Sequence, residues 1–182
     1  MGLRNRTQYL HENCFFVTTT CYRWYHLLES AESKVIVTDS INFLNEKYKT
    51  AVLSYVIMPN HLHLILHFNE NNELSNWMRD LKKFTAVKIR KHIEHTGNLK
   101  LLEQLRLPRR KQVFKVWEDR FDDVVLNTSK LLLIKLNYIH NNPMQEHWNL
   151  VSKPEDWRYS SAAFYELGEE TPVIVTDYRE YF

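Results

Sequence analysis

The stretch YVIMPNHLHLIL, residues 55–66, reads as two short apolar strands joined around a Pro59-Asn60 turn. Side chains on a strand alternate between faces, so His61 and His63 point one way while Leu62, Leu64 and Leu66 point the other. The leucines can be buried in a core, and the two imidazoles are left side by side on the opposite face.

Working outward from this hairpin, the aromatic and β-branched run CFFVTTTCYRW from Cys14 predicts a strand. Residues 32–49 set Val35, Ile36, Ile41, Phe43 and Leu44 among polar neighbours, which predicts a helix. Residues 74–95 carry Leu74, Trp77, Met78 and Leu81 at the i, i+3, i+4, i+7 spacing of one helical face, with Phe84, Ile89 and Ile93 continuing it. Thr96-Gly97-Asn98 ends that helix. LKLLEQLRLPRRKQ then reads as a connection broken by Pro108, and VFKVWEDRF, residues 113–121, alternates as a strand. Asn127, Thr128 and Ser129 offer N-caps for a helix through LLLIKLNYIHNN, which Pro143 stops. The order strand, helix, strand, strand, helix, strand, helix predicts an α+β chain with a ferredoxin-like split βαβ arrangement, one antiparallel sheet with helices on one face. Residues 1–182 read as a single domain, with 151–182 as a tail that wraps the sheet or forms a grafted binding element.

At 182 residues, 44% hydrophobic and 13% aromatic, the chain can bury a substantial core. Its start, MGLRNRTQYLHENC, has no apolar run of signal-peptide length, and no segment approaches the roughly 18 apolar residues of a membrane span. Gly2 is followed by Leu-Arg-Asn-Arg, without the hydroxyl residue of a myristoylation signal, so a cytoplasmic protein with no membrane partner is expected. Cys14 and Cys21 are too few for a disulfide framework and match no common zinc or redox spacing. The overall charge of +2 conceals a block: residues 79–115 hold twelve Lys or Arg against three acids, a net +9. Such a block fits a polyanion footprint, because each neutralised phosphate releases counterions; it fits a solvated helix face equally well.

Two histidines at i, i+2 are either an ordinary hydrogen-bonded pair or two ligands of a metal that needs a third donor. With no thiolate pair nearby they do not make a closed structural zinc site. The second informative stretch is KLNYIHNNPMQEHW, residues 135–148, in which Tyr138 and Asn142 fall at i, i+4 on one helix face and can address the same point. Pro143 disfavours helical geometry in the residue before it, which places Asn142 at or just past the helix end. Taken singly, Tyr138 also reads as a core aromatic and Asn142 as a C-terminal cap.

His61-Leu62-His63 resembles the HUH motif of single-strand DNA nucleases. MPNHLHLIL, SNWMRDLKKFTA, YIHNNP and PEDWRYSSAAFY, in that order, resemble the REP-associated tyrosine transposases, relatives of the single-tyrosine HUH transposases of insertion sequences. The resemblance runs from about Phe15 to Tyr165. It implies a ferredoxin-like HUH nuclease domain that cuts and rejoins single-stranded DNA next to hairpins of repetitive extragenic palindromes through a 5′-phosphotyrosine. Carried onto this chain, it makes His61 and His63 metal ligands, Asn142 the third ligand and Tyr138 the nucleophile. Mobile members of the superfamily usually carry glutamine where Asn142 stands, one methylene longer. The cofactor implied is a divalent cation, Mg²⁺ or Mn²⁺, the latter accepting imidazole more readily.

Residues 154–165 resemble the tail that reads a guide sequence beside the hairpin, making Trp157, Arg158, Tyr159 and Ser160 candidate DNA contacts; a packing segment is the other reading. In the basic block, Arg79, Lys82, Lys83, Arg109, Arg110 and Lys111 are the candidates for the DNA backbone. The expected partner is single-stranded DNA with hairpins, bound by a monomer or homodimer. Two alternatives stand beside the enzyme: a hairpin-binding module that has lost catalysis, and a zinc or manganese hydrolase in which water replaces Tyr138.

Overall fold

The structure, a computed structural model, describes residues 12–69, 73–107 and 113–182. In chain order the elements are β1 (Cys14–Thr20), α1 (Ala31–Tyr48), β2 (Thr50–Ile57), β3 (His61–Phe68), α2 (Leu74–His95), α3 (Leu99–Gln104), β4 (Asp122–Val125), α4 (Ser129–Asn141) and α5 (Ala162–Leu167). The strands form one sheet in the order β2-β3-β1-β4, antiparallel at every pairing, which is the expected α+β split βαβ sandwich.

Period-two alternation in β3 is realised along its length. Leu62, Leu64, Leu66 and Phe68 enter a core with Phe15 and Val17 of β1, Val37 and Ile41 of α1, and Trp77, Met78 and Leu81 of α2. The other face carries Phe16 and Ile65 against Leu132, Leu136 and Ile139 of α4. Thus α1 and α2 share one face, as the split βαβ arrangement requires, but the expectation of helices on one face alone is corrected by α4, which packs Leu132, Leu136 and Ile139 on the opposite one. Trp77 is fully buried, so Trp77→Ala is expected to cost about 3–5 kcal/mol. The readout is a lower urea midpoint at unchanged slope; a midpoint equal to the parent's would mean that the helix–sheet interface is not the main core.

Local signals place the helix ends. Ser30 caps α1 by accepting from Ser33 N–H at 3.1 Å. Gly97, at φ +71°, takes the left-handed conformation just beyond α2 that favours glycine. The strand expected over residues 113–121 does not form. That segment makes only single bridges, Phe114 to Arg106 and Trp117 to Cys21, and buries Val116 and Trp117 in succession, which a one-faced strand does not do. The fourth strand is instead Asp122–Val125, and a short helix, α3, forms where the sequence suggested only a connection.

Beyond α4 the chain crosses to the outer edge of β2. Ile57 N–H donates to Tyr159 O at 2.9 Å, Ser161 N–H to Tyr55 O at 3.0 Å and Thr176 N–H to Val52 O at 2.9 Å, so the tail occupies backbone groups that an edge strand leaves unpaired. Among the described residues no helix is long and apolar enough to cross a membrane.

Candidate active site

His61 and His63 stand on the α4 side of the sheet, opposite the leucine core, with ring centroids 4.8 Å apart. Each is oriented by a different partner. His61 Nδ1 lies 2.7 Å from Asn60 Oδ1. The amide nitrogen of Asn60 donates to Trp24 O at 3.3 Å, which turns the amide oxygen toward the imidazole. An amide oxygen only accepts, so Nδ1 of His61 carries the proton and Nε2 keeps its lone pair. His63 Nδ1 lies 2.8 Å from Thr18 Oγ1, its cross-strand partner. That hydroxyl accepts as readily as it donates, and in the tautomer where it accepts from Nδ1, Nε2, which is buried without a hydrogen-bond partner, keeps its lone pair too.

Burial holds both imidazoles neutral. It lowers His61 to about 4, opposed by the neighbouring Asn142 side chain and aided by His147. It lowers His63 to about 3, with His61 and Lys135 pushing the same way. Neutral imidazole is the form that donates to metals.

α4 brings the tyrosine. The Tyr138 ring centroid lies 5.1 Å from that of His63 at an interplanar angle of 69°. Phe16, stacked on His63 at 5.3 Å, also meets Tyr138 edge-on at 6.0 Å. Lys135, one turn earlier, holds its Nζ 4.6 Å from the Phe16 ring centre and 5.8 Å from that of Tyr138. Tyr138 itself is 42% exposed, so the phenol is accessible. Asn142 keeps helical angles, φ −58° and ψ −43°, despite the proline that follows, so its i, i+4 relation to Tyr138 survives. Its Oδ1 is buried and makes no hydrogen bond.

Two imidazole nitrogens and one amide oxygen, all buried, fit a divalent cation that accepts mixed nitrogen and oxygen ligands. Among the described residues no group of three His, Cys, Asp or Glu gathers in one place, so Asn142 is the third donor that this cluster offers.

Residues 9–142 match the family model described as "Transposase IS200 like". The chain belongs to the IS200-like transposase family. The chain is 27% identical over 140 residues to a Haemophilus influenzae protein assigned as a REP-associated tyrosine transposase, the match covering 71% of this chain and 72% of that one. It shares its fold with a REP-associated tyrosine transposase solved bound to a REP hairpin, at 19% identity and a TM-score of 0.66, covering 97% of this chain and 93% of the other. The resemblance drawn from the motifs agrees with both.

The remaining expected DNA contacts scatter. Arg79 and Lys83 are exposed, but α2 packs on the leucine face, so they stand across the sheet from the histidines. Lys82 is spent internally: its Nζ donates to the backbone oxygens of Glu118, Asp119 and Arg120, and burial lowers it to about 8. It ties α2 to the segment leading into β4. Arg109, Arg110 and Lys111 lie outside the described residues. In the tail Arg158 is exposed. Trp157 donates from Nε1 to Ile57 O at 3.1 Å, and the Lys34 ammonium lies 5.6 Å from its ring centre and 5.2 Å from that of Tyr159. Ser160 corrects its expectation: it is fully buried, and its hydroxyl accepts from Ala162 N–H at 3.2 Å, so it shapes the turn into α5 and faces no solvent.

Sequence reasoning passed over Thr18, Asn60, Trp24, Lys135 and Trp148. Asn60 adjoins the HUH motif and Lys135 sits one helical turn before Tyr138, so both were visible. Thr18 and Trp24 reach the site only through the pairing of β1 with β3, and Trp148, 5.8 Å from His61, only through the return of the chain after α4. The cysteines are free and buried, as expected of packing residues; burial raises Cys14 to about 12 and Cys21 still further.

Proposed function

We propose that this protein cleaves and rejoins single-stranded DNA beside REP-type hairpins, with Tyr138 as nucleophile and His61, His63 and Asn142 as ligands of a divalent cation. The observation that carries the reading is the meeting of an accessible Tyr138 with His63, where the His63 Nε2 and Asn142 Oδ1 atoms are buried and unpartnered. A buried polar atom without a partner costs about 1–3 kcal/mol, so two in one cluster point to a ligand that satisfies both. The hairpin part is supported by likeness to the Haemophilus influenzae protein and to the hairpin-bound structure.

A divalent cation on these three donors supplies Lewis-acid polarisation of the scissile phosphate. The imidazole pair makes Mn²⁺ the better fit and Mg²⁺, which prefers oxygen, the weaker one. Asn60 fixes the tautomer of His61, and Thr18 orients the ring of His63. Tyr138 Oη bonds to phosphorus as the P–O3′ bond breaks; the phenolic proton leaves to solvent and the 3′ oxygen takes one up, giving a 5′-phosphotyrosine and a free 3′-OH. Attack by another 3′-OH reverses the step. One phosphodiester replaces another, so rejoining needs no ATP. Lys135 places a positive charge beside Tyr138, suited to a phosphate oxygen. Among the exposed cations, Arg158 is proposed to follow the strand farther out, with Arg79 and Lys83 engaged only by DNA that passes round to the α2 side of the sheet.

The test is incubation of labelled hairpin oligonucleotides with the protein and Mn²⁺, followed by a denaturing gel. A slow-migrating covalent adduct supports the reading. Retarded native complexes without adduct, across hairpins of varied guide sequence and with Mg²⁺ also tried, would leave the hairpin-binding module without catalysis. Loss of a group that orients a metal ligand typically costs 10- to 100-fold in affinity. Thr18→Val is therefore expected to weaken Mn²⁺ binding by about 10-fold or more in titration calorimetry; unchanged affinity would remove His63 from the ligand set.

A further inference from the structure

Trp24 is 63% exposed, and its ring lies 6.3 Å from that of His61 at 65°. Its backbone, at φ +59°, follows Arg23 at φ +52°, two consecutive non-glycine residues in the left-handed region that bulky side chains avoid. Such a turn persists only where its surroundings hold it. Here Cys21 N–H donates to Asn60 O and Tyr22 N–H to Val116 O, both at 2.8 Å. Arg23 N–H donates to Glu118 Oε1 at 2.9 Å, and Trp24 O accepts from the Asn60 amide. The backbone that carries this large exposed indole is thus fixed by bonds that include the same asparagine that orients His61. Trp24 lines a cleft of about 380 Å³ with Thr18, Arg120 and three acids, Glu118, Asp119 and Asp122, the first two paired with Lys115. Thr18 is the partner of His63, so the cleft opens beside the imidazole pair.

We infer that Trp24 is a stacking platform for the nucleobase next to the phosphate that Tyr138 attacks, with the base lying on the exposed indole at the mouth of this cleft. The inference rests on the single-strand cleavage reading above. An exposed indole offers a π-face that every base can use, and the fixed turn removes the backbone part of the ordering cost on binding. The consequence for chemistry is positional: a clamped base holds its own phosphate in register with Tyr138.

The experiment is a binding cycle in the Tyr138→Phe protein, which leaves the DNA uncut. Hairpin oligonucleotides carrying an abasic site at each single-stranded position in turn are titrated with Mn²⁺ present and followed by fluorescence anisotropy, with Trp24 intact, Trp24→Ala and Trp24→Phe. One abasic position is expected to weaken binding on the order of 10-fold. Trp24→Ala should weaken intact DNA by the same factor and abolish the penalty at that position, while Trp24→Phe keeps most of the affinity. Equal thermal midpoints of the variants show that the fold is kept. The inference is overturned if Trp24→Ala binds intact DNA as tightly as its parent, if every abasic penalty persists in it, or if no hairpin strand is bound at all. Failure of the cleavage reading shows separately, as absence of adduct from the Tyr138-bearing protein, and the cycle is still read from binding.

Discussion

Tyr138→Phe is expected to abolish the covalent protein–DNA adduct, with strand cleavage falling by about 10³-fold or more, because no other side chain at the site can carry the phosphoryl group through the same intermediate. The substitution removes one oxygen. The ring keeps its contacts with His63 and Phe16, and an exposed phenol contributes little to folding, so the thermal midpoint should move by less than the equivalent of about 0.5 kcal/mol. Hairpin affinity should stay within about twofold. These three readings separate the hypotheses. Adduct lost with affinity kept identifies the tyrosine mechanism. Cleavage that continues in Tyr138→Phe at the parental rate, without adduct in either protein, would identify water as nucleophile and the histidines as a hydrolase site. Binding without cleavage in both would leave the inactive module.

The second large effect is loss of stability in mild acid. His61 and His140 are held near 4 and His63 near 3, in each case chiefly by burial. Unfolded, each returns to about 6.5. Between pH 6.5 and 4 the unfolded chain therefore binds up to three more protons than the folded one, and stability falls as pH falls. Each unmatched proton gives a slope of about 1.4 kcal/mol per pH unit, so three give about 4. Asp80, held near 2 mainly by Lys47, adds a loss of the same sign as pH falls below about 4. Against a typical total of about 5–15 kcal/mol, unfolding is expected near pH 4–5, with a cooperativity of about three protons by circular dichroism. His140→Gln should lower that proton count by about one. A midpoint in urea that stays constant from pH 7 to pH 5 would show that the imidazoles are solvated.

His140 has a second part in the fold. Its Nε2 lies 2.9 Å from Ser161 Oγ and 3.4 Å from Ser54 Oγ, and Ser161 Oγ also accepts from Tyr55 N–H at 3.1 Å. This buried cluster joins the helix bearing Tyr138 to β2 and to the tail.

What could be read in advance follows from how local the physical signal is. The helix over 74–95 was legible because Leu74, Trp77, Met78 and Leu81 repeat at the helical period over about two turns and Phe84, Ile89 and Ile93 continue the face. The faces of β3 were legible because period two leaves no choice once the leucines are buried. The sequence reading put the helices on one face of the sheet; α4 lies on the other, across from Leu62 and Leu64, and that crossing is what brings Tyr138 to the histidines. The segment 113–121 misled because its apolar residues alternate only in part. The true fourth strand begins Asp122-Asp123, poor strand formers that are held by pairing with Val17 and Thr18. In the site, residue types and the i, i+4 spacing were legible, whereas the groups that set tautomers and the indole beside His61 depend on contacts between distant segments.

The tail's hold on β2 changes how deletion experiments must be interpreted. Removing residues 151–182 looks like the direct way to ask whether that segment reads DNA. Yet the cut would strip the outer strand of the backbone partners supplied by Tyr159, Ser161 and Thr176, and would uncover the apolar cluster that Trp157, Tyr165, Tyr178 and Tyr181 pack against. A naked strand edge beside exposed aromatics is a template for self-association. The truncated chain should therefore precipitate, and lost DNA binding in such a sample would report aggregation. Recognition by the tail is better dissected one exposed side chain at a time, beginning with Arg158.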